Sequence, residues 1–256
     1  MSTNESNSNK ALDRSLRLLE IFANDGTSMT VSDISRFLGI TRITAQSIVN
    51  SLEGVNFIEK DPDSGKYSLG YQMFTLGNKY IYRYPFLHAA EKHVTNFSLE
   101  NKIKVNVSVL KPEGYLVILL SKDLSLIPIM AIGNLIPVHA GASGKLLLSY
   151  LPEEKRTAIL DVADFKRFTE FTITDRNVLC QQLENIRQQN YAMEVEELSL
   201  QRGCIAAPIF DISGTAIAAV SASCNAERIR NNADSLINGV VSLGRAISSE
   251  LGYAVI

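Results

Sequence analysis

Apolar residues recur at helical spacing from the start of the chain. Leu12, Leu16, Leu18, Leu19, Ile21 and Phe22 put one apolar face on residues 11–23, and Asp25-Gly26 ends that run. Val31, Ile34, Phe37 and Leu38 repeat in the same way. Thr30 precedes them as an N-cap with Asp33 three residues on, a variant of the capping box. Gly39 stops this second helix. Thr41 caps a third, whose apolar face is Ala45, Ile48, Val49 and Leu52, and Gly54 closes it. Phe57-Ile58-Glu59-Lys60 and Lys66-Tyr67-Ser68-Leu69 then flank Asp61-Pro62-Asp63-Ser64-Gly65, which predicts a hairpin. The first 70 residues therefore read helix, helix, tight turn, helix, hairpin.

Residues 71–84 predict a connecting helix that ends before Pro85, and residues 86–100 predict another. Residues 104–110 alternate, residues 115–121 are mainly apolar, and the two flank the turn Pro112-Glu113-Gly114. A strand is expected at 127–132, helices at 144–150, 152–160 and 176–189. Strands at 204–210 and 216–223 surround the turn Asp211-Ile212-Ser213-Gly214, and residues 226–251 form a long last helix. Helices and strands mix without βαβ alternation, which predicts an α+β fold with a mainly antiparallel sheet.

Composition narrows the classes. The chain has 256 residues, room for one large domain or two modest ones, and its net charge of −2 gives no global pull toward nucleic acid. Any DNA contact must come from a local patch. Cys180, Cys204 and Cys224 are odd in number and far apart, and His88, His93 and His139 are scattered; neither a disulfide framework nor a metal site is expected. Residues 1–10 are rich in Ser and Asn and lack an apolar core, so they read as a disordered lead and not a signal peptide. Residues 124–144 carry no Asp, Glu, Lys or Arg. Pro128, Asn134, Pro137 and His139 interrupt them, along with three glycines, so a buried strand, a loop and a helix start are expected there and not a membrane span. A cytoplasmic protein follows as the expectation.

The local patch lies on the third helix. With Ala45, Ile48, Val49 and Leu52 inward, helical geometry points Arg42, Ile43, Gln46, Ser47 and Asn50 outward, and Thr41 and Thr44 sit at the helix start. Arg and Gln read guanine and adenine edges, and Ile43 can touch a thymine methyl. No acid occurs between Asp33 and Glu53, while Arg36 and Arg42 do. Lys60 and Lys66 flank the hairpin tip, where a wing would meet phosphates. A three-helix scaffold with an ordinary polar surface is the plain alternative; the hairpin that follows directly favours the DNA reading. The patch is thin, so a dimer on two half-sites is expected.

Three segments carry a family resemblance: Ala11-Leu12-Asp13-Arg14-Ser15-Leu16, Pro137-Val138-His139-Ala140-Gly141-Ala142-Ser143-Gly144-Lys145, and the stretch from Tyr191 through Cys204-Ile205-Ala206-Ala207-Pro208 to Ser223. In these the chain resembles the IclR family of bacterial regulators, from residue 11 onward. The resemblance implies a winged helix-turn-helix at 10–70 behind a lead at 1–9, a linker helix at 71–85, and a GAF/profilin-like effector domain at 86–256. It implies double-stranded operator DNA and a small carboxylate as partners, a homodimer or dimer of dimers, no cofactor and no enzymatic activity. It places the effector pocket on Ala142, Ser143, Glu194, Cys204, Ser221 and Ser223.

Elementary chemistry agrees with that pocket. Ala142-Ser143-Gly144 opens a helix, whose free N–H groups can take a carboxylate without Lys or Arg. Ser221 and Ser223 stand i, i+2 on one strand and share a face. Glu194, Glu196 and Glu197 otherwise read as a solvated charge run, and Cys204 as a core thiol. Three departures from the family pattern stand out: Glu194 where Asp is common, Gln201 where Gly is usual, and Ser47 where a basic residue is common. Arg202 is left with two readings, an anion ligand or a surface residue.

Three rival functions stand beside this one. Gly141-Ala142-Ser143-Gly144-Lys145 looks like a P-loop fragment, but His139 stands where the first Gly belongs and Leu146 where Ser or Thr belongs. A hydrolase using Cys204 and His139 needs the two side chains in reach of one another. A winged-helix adaptor with an empty C-terminal domain is the third.

Overall fold

The computed structural model describes residues 9–25, 28–122 and 131–254. The chain divides into two compact units, Met1–Arg83 and Tyr84–Ile256.

In the first unit, α1 (Lys10–Asp25), α2 (Val31–Leu38) and α3 (Arg42–Glu53) precede a two-stranded sheet of β1 (Ile58–Lys60) and β2 (Tyr67–Leu69), and α4 (Tyr71–Ile81) follows. The start of α2 is a full capping box. Thr30 Oγ1 accepts from the Asp33 N–H at 3.3 Å, and Asp33 Oδ2 accepts from the Thr30 N–H at 3.1 Å. Gly39 ends α2 with φ +63°, the left-handed conformation that glycine takes at no steric cost. Thr41 Oγ1 caps α3 by accepting from the Thr44 N–H. Leu18, Phe22, Ile34, Ala45, Val49, Ile58 and Tyr67 form the core. Leu12 and Leu16, assigned above to the same apolar face as Leu18, Leu19 and Phe22, are half exposed. β1 and β2 pair antiparallel with Lys60 opposite Tyr67, and Met29 adds a bridge to Tyr67.

The second unit holds α5 (Leu87–Asn101), β3 (Lys104–Lys111), β4 (Gly114–Leu120), β5 (Leu135–Ile136), α6 (Ala142–Ser149), α7 (Glu153–Val162), α8 (Arg176–Gln189), β6 (Ala192–Val195), β7 (Arg202–Phe210), β8 (Ala216–Asn225) and α9 (Ala226–Glu250). Among the described residues its six strands form one antiparallel sheet in the order β5-β4-β3-β8-β7-β6. Helices α5 and α9 pack on one face and α6 on the other, with α8 against α6. The α+β class expected from the sequence is the class observed.

Two strand assignments change. Of the strand expected at 127–132, residues 127–130 lie outside the described residues. Ala131 and Ile132 are not in a strand: the Asn134 side chain accepts from the Ala131 N–H, which makes a turn, and β5 starts only at Leu135. β6 went unread, because its four residues Ala192–Val195 run straight into the acids that follow. The last helix, expected to be continuous, breaks its helical geometry at Asn232. Among the described residues, no helix is long and apolar enough to cross a membrane.

Candidate functional site

Helix α3 presents the outward face its periodicity required. Thr41, Arg42, Ile43, Ser47 and Asn50 are exposed, Gln46 and Thr44 are half-buried, and Ala45, Ile48 and Val49 are buried. Ile43 is 85% exposed, a large apolar side chain held in water with no packing reason on its own unit. Gln46 Nε2 donates to Asn50 Oδ1 at 2.7 Å, so the two amides are already aligned along one ridge.

The positive field is thinner than the sequence suggested. Arg36 lies 3.6 Å from Asp33, and the Lys66 charge also acts on that carboxyl. Thr30 and those two cations hold the Asp33 carboxyl below its usual range. In the hairpin, Lys60 stands over the Tyr67 ring at 5.8 Å, and Asp61 accepts from both the N–H and the hydroxyl of Ser64 at 2.6 Å. Asp61 and Asp63 between Lys60 and Lys66 leave the tip without net charge.

The second candidate lies in the other unit, on the α6 face of the sheet. The register sets Glu194 opposite Cys204, Cys204 opposite Ser223, and Asn106 opposite Ser221. Because side chains alternate across a strand, Cys204 with Ala206 and Ser221 with Ala219 face α6. Ser223 Oγ lies 3.7 Å from Cys204 Sγ, and both serine hydroxyls interact with that sulfur. The Ser221 hydroxyl donates to Asn106 Oδ1 at 3.0 Å, as does that of Ser108. Ala142 and Ser143 open α6, buried against the same face. All six residues named from the resemblance are thus on or against one side of one sheet.

Burial decides their chemistry. Removal from water pushes the Cys204 thiol up to about 12, with the Glu194 charge adding to it. A thiol that resists ionisation is a poor nucleophile, which weakens the hydrolase reading. His139 is engaged elsewhere: its Nε2 meets the Lys166 carbonyl oxygen at 2.9 Å, and its ring packs on Phe165 and Phe168. Burial likewise raises the Glu194 carboxyl to about 7, with the nearby Glu197 carboxylate contributing; the Glu197 N–H donated to Glu194 Oε2 at 3.0 Å pulls the other way.

Two sequence readings are corrected at this place. Glu197 is no member of a solvated run: it is buried and binds Lys145 Nζ through both oxygens at 2.5 and 2.6 Å. The stretch therefore splits three ways, since Glu196 instead turns to Arg230 and to the Gln201 N–H. Lys145, the end of the P-loop-like fragment, is fully buried, and burial lowers its pKa against the pull of Glu197. A cation does therefore lie close to the row, already matched to a carboxylate. Arg202 acts on Cys224, which alternation puts on the opposite face of the sheet from Cys204.

Tyr115, Asn106 and Ser108 were missed. Asn106 and Ser108 stand i, i+2 on an alternating strand, a signal the sequence did contain. Tyr115 could not have been found that way. Its ring approaches the α6 start so closely that a Cβ on Gly141 would stand 2.1 Å from the hydroxyl oxygen, and one on Gly144 would stand 2.8 Å from the ring. Those glycines serve close packing, not phosphate binding. Thr172, also missed, donates to the Glu197 carbonyl at 2.7 Å, and Thr169 donates to that of Glu196 at 2.6 Å. They pin the irregular segment before α8 to the acid-rich turn.

A helix-turn-helix with a hairpin, followed in the chain by an antiparallel α+β unit with a buried polar row, defines a DNA-binding regulator with a sensing domain. The IclR helix-turn-helix domain matches residues 11–62, and the C-terminal domain of the bacterial transcriptional regulator IclR matches residues 78–249. The chain belongs to the IclR family of transcriptional regulators. It is 28% identical over 246 residues to the HTH-type transcriptional regulator XynR of Escherichia coli strain K12, covering 95% of this chain and 98% of that one. It is 31% identical over 221 residues to the HTH-type transcriptional repressor AllR of Salmonella typhimurium, covering 86% and 81%. An IclR homologue from Microbacterium hydrocarbonoxydans, crystallised with 4-hydroxybenzoate, is similar in structure with a TM-score of 0.80 at 26% identity, covering 94% and 99%.

Proposed function

We propose that this chain represses transcription and that a small organic acid, of the hydroxy-acid or sugar-acid class, modulates its hold on operator DNA. Residues 10–70 would read the operator, 71–85 link, and 86–256 sense the acid. The observation that carries the sensing half is the row Glu194, Cys204, Ser223 and Ser221 under the start of α6. Backbone N–H groups of Ala142 and Ser143 take the carboxylate, aided by the positive end of the helix dipole. The serine hydroxyls hold its second oxygen or a neighbouring hydroxyl. Glu194 faces the other end: ionised, it repels a second carboxylate, and protonated, it donates to a hydroxyl. A mono-acid carrying hydroxyls fits better than a diacid. The M. hydrocarbonoxydans relative, whose ligand is an acid with one hydroxyl, supports this reading. The repressor sense is supported by the name AllR carries.

On DNA, Arg42, Ile43, Gln46, Ser47 and Asn50 read base edges, Thr41 and Thr44 flank them, and Arg36, Lys60 and Lys66 contact phosphates. With so few cations per chain, a dimer or dimer of dimers on spaced half-sites supplies the affinity. A thermal-shift panel of organic acids on the full chain, followed by gel shifts on its own promoter region, tests the proposal. Stabilisation by hydroxy mono-acids that also changes operator retention is the expected result. Preference for a cation or a neutral hydrocarbon would overturn the pocket chemistry.

A further inference from the structure

We propose a second ligand site on the C-terminal unit, at the opposite end of α6 from the serine row, that takes a small multivalent anion. A cavity of about 550 Å³ opens there between the end of β3, the end of α6, α7, α8 and the start of β8. Small-molecule sites commonly measure roughly 300–1,000 Å³. Lys111, Lys155 and Arg187 line it from three different elements, with Tyr84 and Tyr150, and no Asp or Glu is among the lining residues. The site is distinct from the effector row, which uses the first turn of α6 and the far halves of β3 and β8.

Two of the three cations are held in place by aromatic neighbours. Arg187 lies over the Tyr150 ring, its central carbon 4.1 Å from the ring centre. A guanidinium in that place keeps its charge and presents N–H donors in the fork that matches carboxylate and phosphate oxygens. The ring is fixed in turn, since the Tyr150 hydroxyl donates to Asn190 Oδ1 at 2.7 Å. Lys111 Nζ donates to the Tyr84 hydroxyl at 2.7 Å, which sets a second positive charge at the rim. Among the described residues, neither Arg187 nor Lys155 has a carboxylate within ion-pair distance, although five other Lys and Arg side chains do. Arg187 and Lys155 line one hollow with no carboxylate between them and repel each other, and an anion bearing two or more negative groups relieves that repulsion where a single carboxylate cannot. Phosphate and carboxylate share this chemistry.

Calorimetry on the full chain, with pyrophosphate and citrate as probes and acetate as the monovalent control at matched ionic strength, tests the site. Saturable binding of either probe is expected, and the one that binds tells the phosphate source from the carboxylate source. The K155Q/R187Q variant should bind at least about tenfold more weakly, from the loss of two charge-assisted contacts, while S221A/S223A should bind as wild type does. No saturable heat from either probe overturns the proposal. So does equal binding by K155Q/R187Q, or acetate binding as tightly as the multivalent probes. Wild-type self-association in sedimentation that K155Q/R187Q abolishes, without anion binding, would show instead that a second copy fills the hollow. Loss of probe binding in S221A/S223A would place the anion at the effector row and overturns this proposal as well. K155Q/R187Q touches no residue of that row, so its outcomes leave the effector reading untouched.

Discussion

The outward face of α3 and the row beneath α6 use similar side chains under opposite conditions. On α3, Gln46 and Asn50 pair with each other in water, and Ile43 stands nearly bare. An incoming base edge replaces one solvated contact by another, so the face can wait empty at little cost. Under α6, Ser221, Asn106 and Ser108 are buried and bonded together, and Glu194, Glu197 and Lys145 share a buried network. Buried polar groups must be partnered inside the protein. A ligand entering there has to take over existing bonds, which makes the pocket selective for oxygen-rich ligands. Surface readout depends on which side chains project; buried readout depends on which bonds can be exchanged.

The sharpest way to break the comparison is to remove the cation of the buried side. Lys145→Met leaves Glu197 buried without its partner and should destabilise the C-terminal unit by about 3–5 kcal/mol in urea unfolding followed by circular dichroism. Lys145→Met with Glu197→Leu should recover most of that loss. If the single change costs no more than a surface substitution, the network is not the structural element described.

A pH series sharpens the same side. The Glu194 carboxyl rises from 4.5 to about 7 on folding. The folded state therefore binds more protons than the unfolded state between those values, and stability must fall as pH rises through that window. The stabilising contribution is fully present below about 4.5 and lost above about 7, on the order of 3 kcal/mol in all. Glu194→Gln should flatten this slope. It should also remove any tightening of acid binding below pH 7, since an amide cannot become the carboxylate that repels the ligand. An unchanged slope in Glu194→Gln would assign the titration to another group.

On α3 the expected effect is smaller and confined to DNA. Arg42→Ala should weaken operator binding by about 1–3 kcal/mol if Arg42 reads a base edge, with Gln46→Ala and Asn50→Ala below it. Unfolding free energy should stay the same, because these side chains touch no core. Gel shifts at physiological salt check this; unchanged affinity in all three variants would remove the assignment of α3 as the reading helix.

Sequence periodicity found one side of this comparison far better than the other. Ala45, Ile48 and Val49 mark the inner face of α3, and everything opposite follows from 3.6 residues per turn. Thr30, Gly39 and Thr41 fix both helix ends locally, so no long-range information was needed. The row under α6 depends on strand register between segments about a hundred residues apart, such as Asn106 with Ser221. Its six residues were named from family resemblance, and the alternation of β8 supported only the two serines. Lys145 with Glu197 is the clearest case of what remained hidden. Glu197 read as part of a solvated charge run and Lys145 as the end of a P-loop-like fragment, and only the fold brings residues 52 positions apart into one buried pair.

The smallest effect tests the row most directly. Ser221 and Ser223 differ in what they leave behind when truncated. Ser221→Ala removes one of two hydroxyls donating to Asn106 Oδ1, and Ser108 still satisfies that oxygen. Ser223→Ala removes a long contact to the Cys204 sulfur, a weak acceptor. Neither change strands a strong buried partner, so the fold should tolerate both. Against a bound acid each lost hydroxyl should cost about 0.5–1.5 kcal/mol, and more where it faces a charged oxygen. Calorimetry with the best acid from the panel measures this, and operator affinity without ligand should not move. If S221A/S223A binds the acid as wild type does, the ligand is held elsewhere, and the polar row is a feature of the core alone.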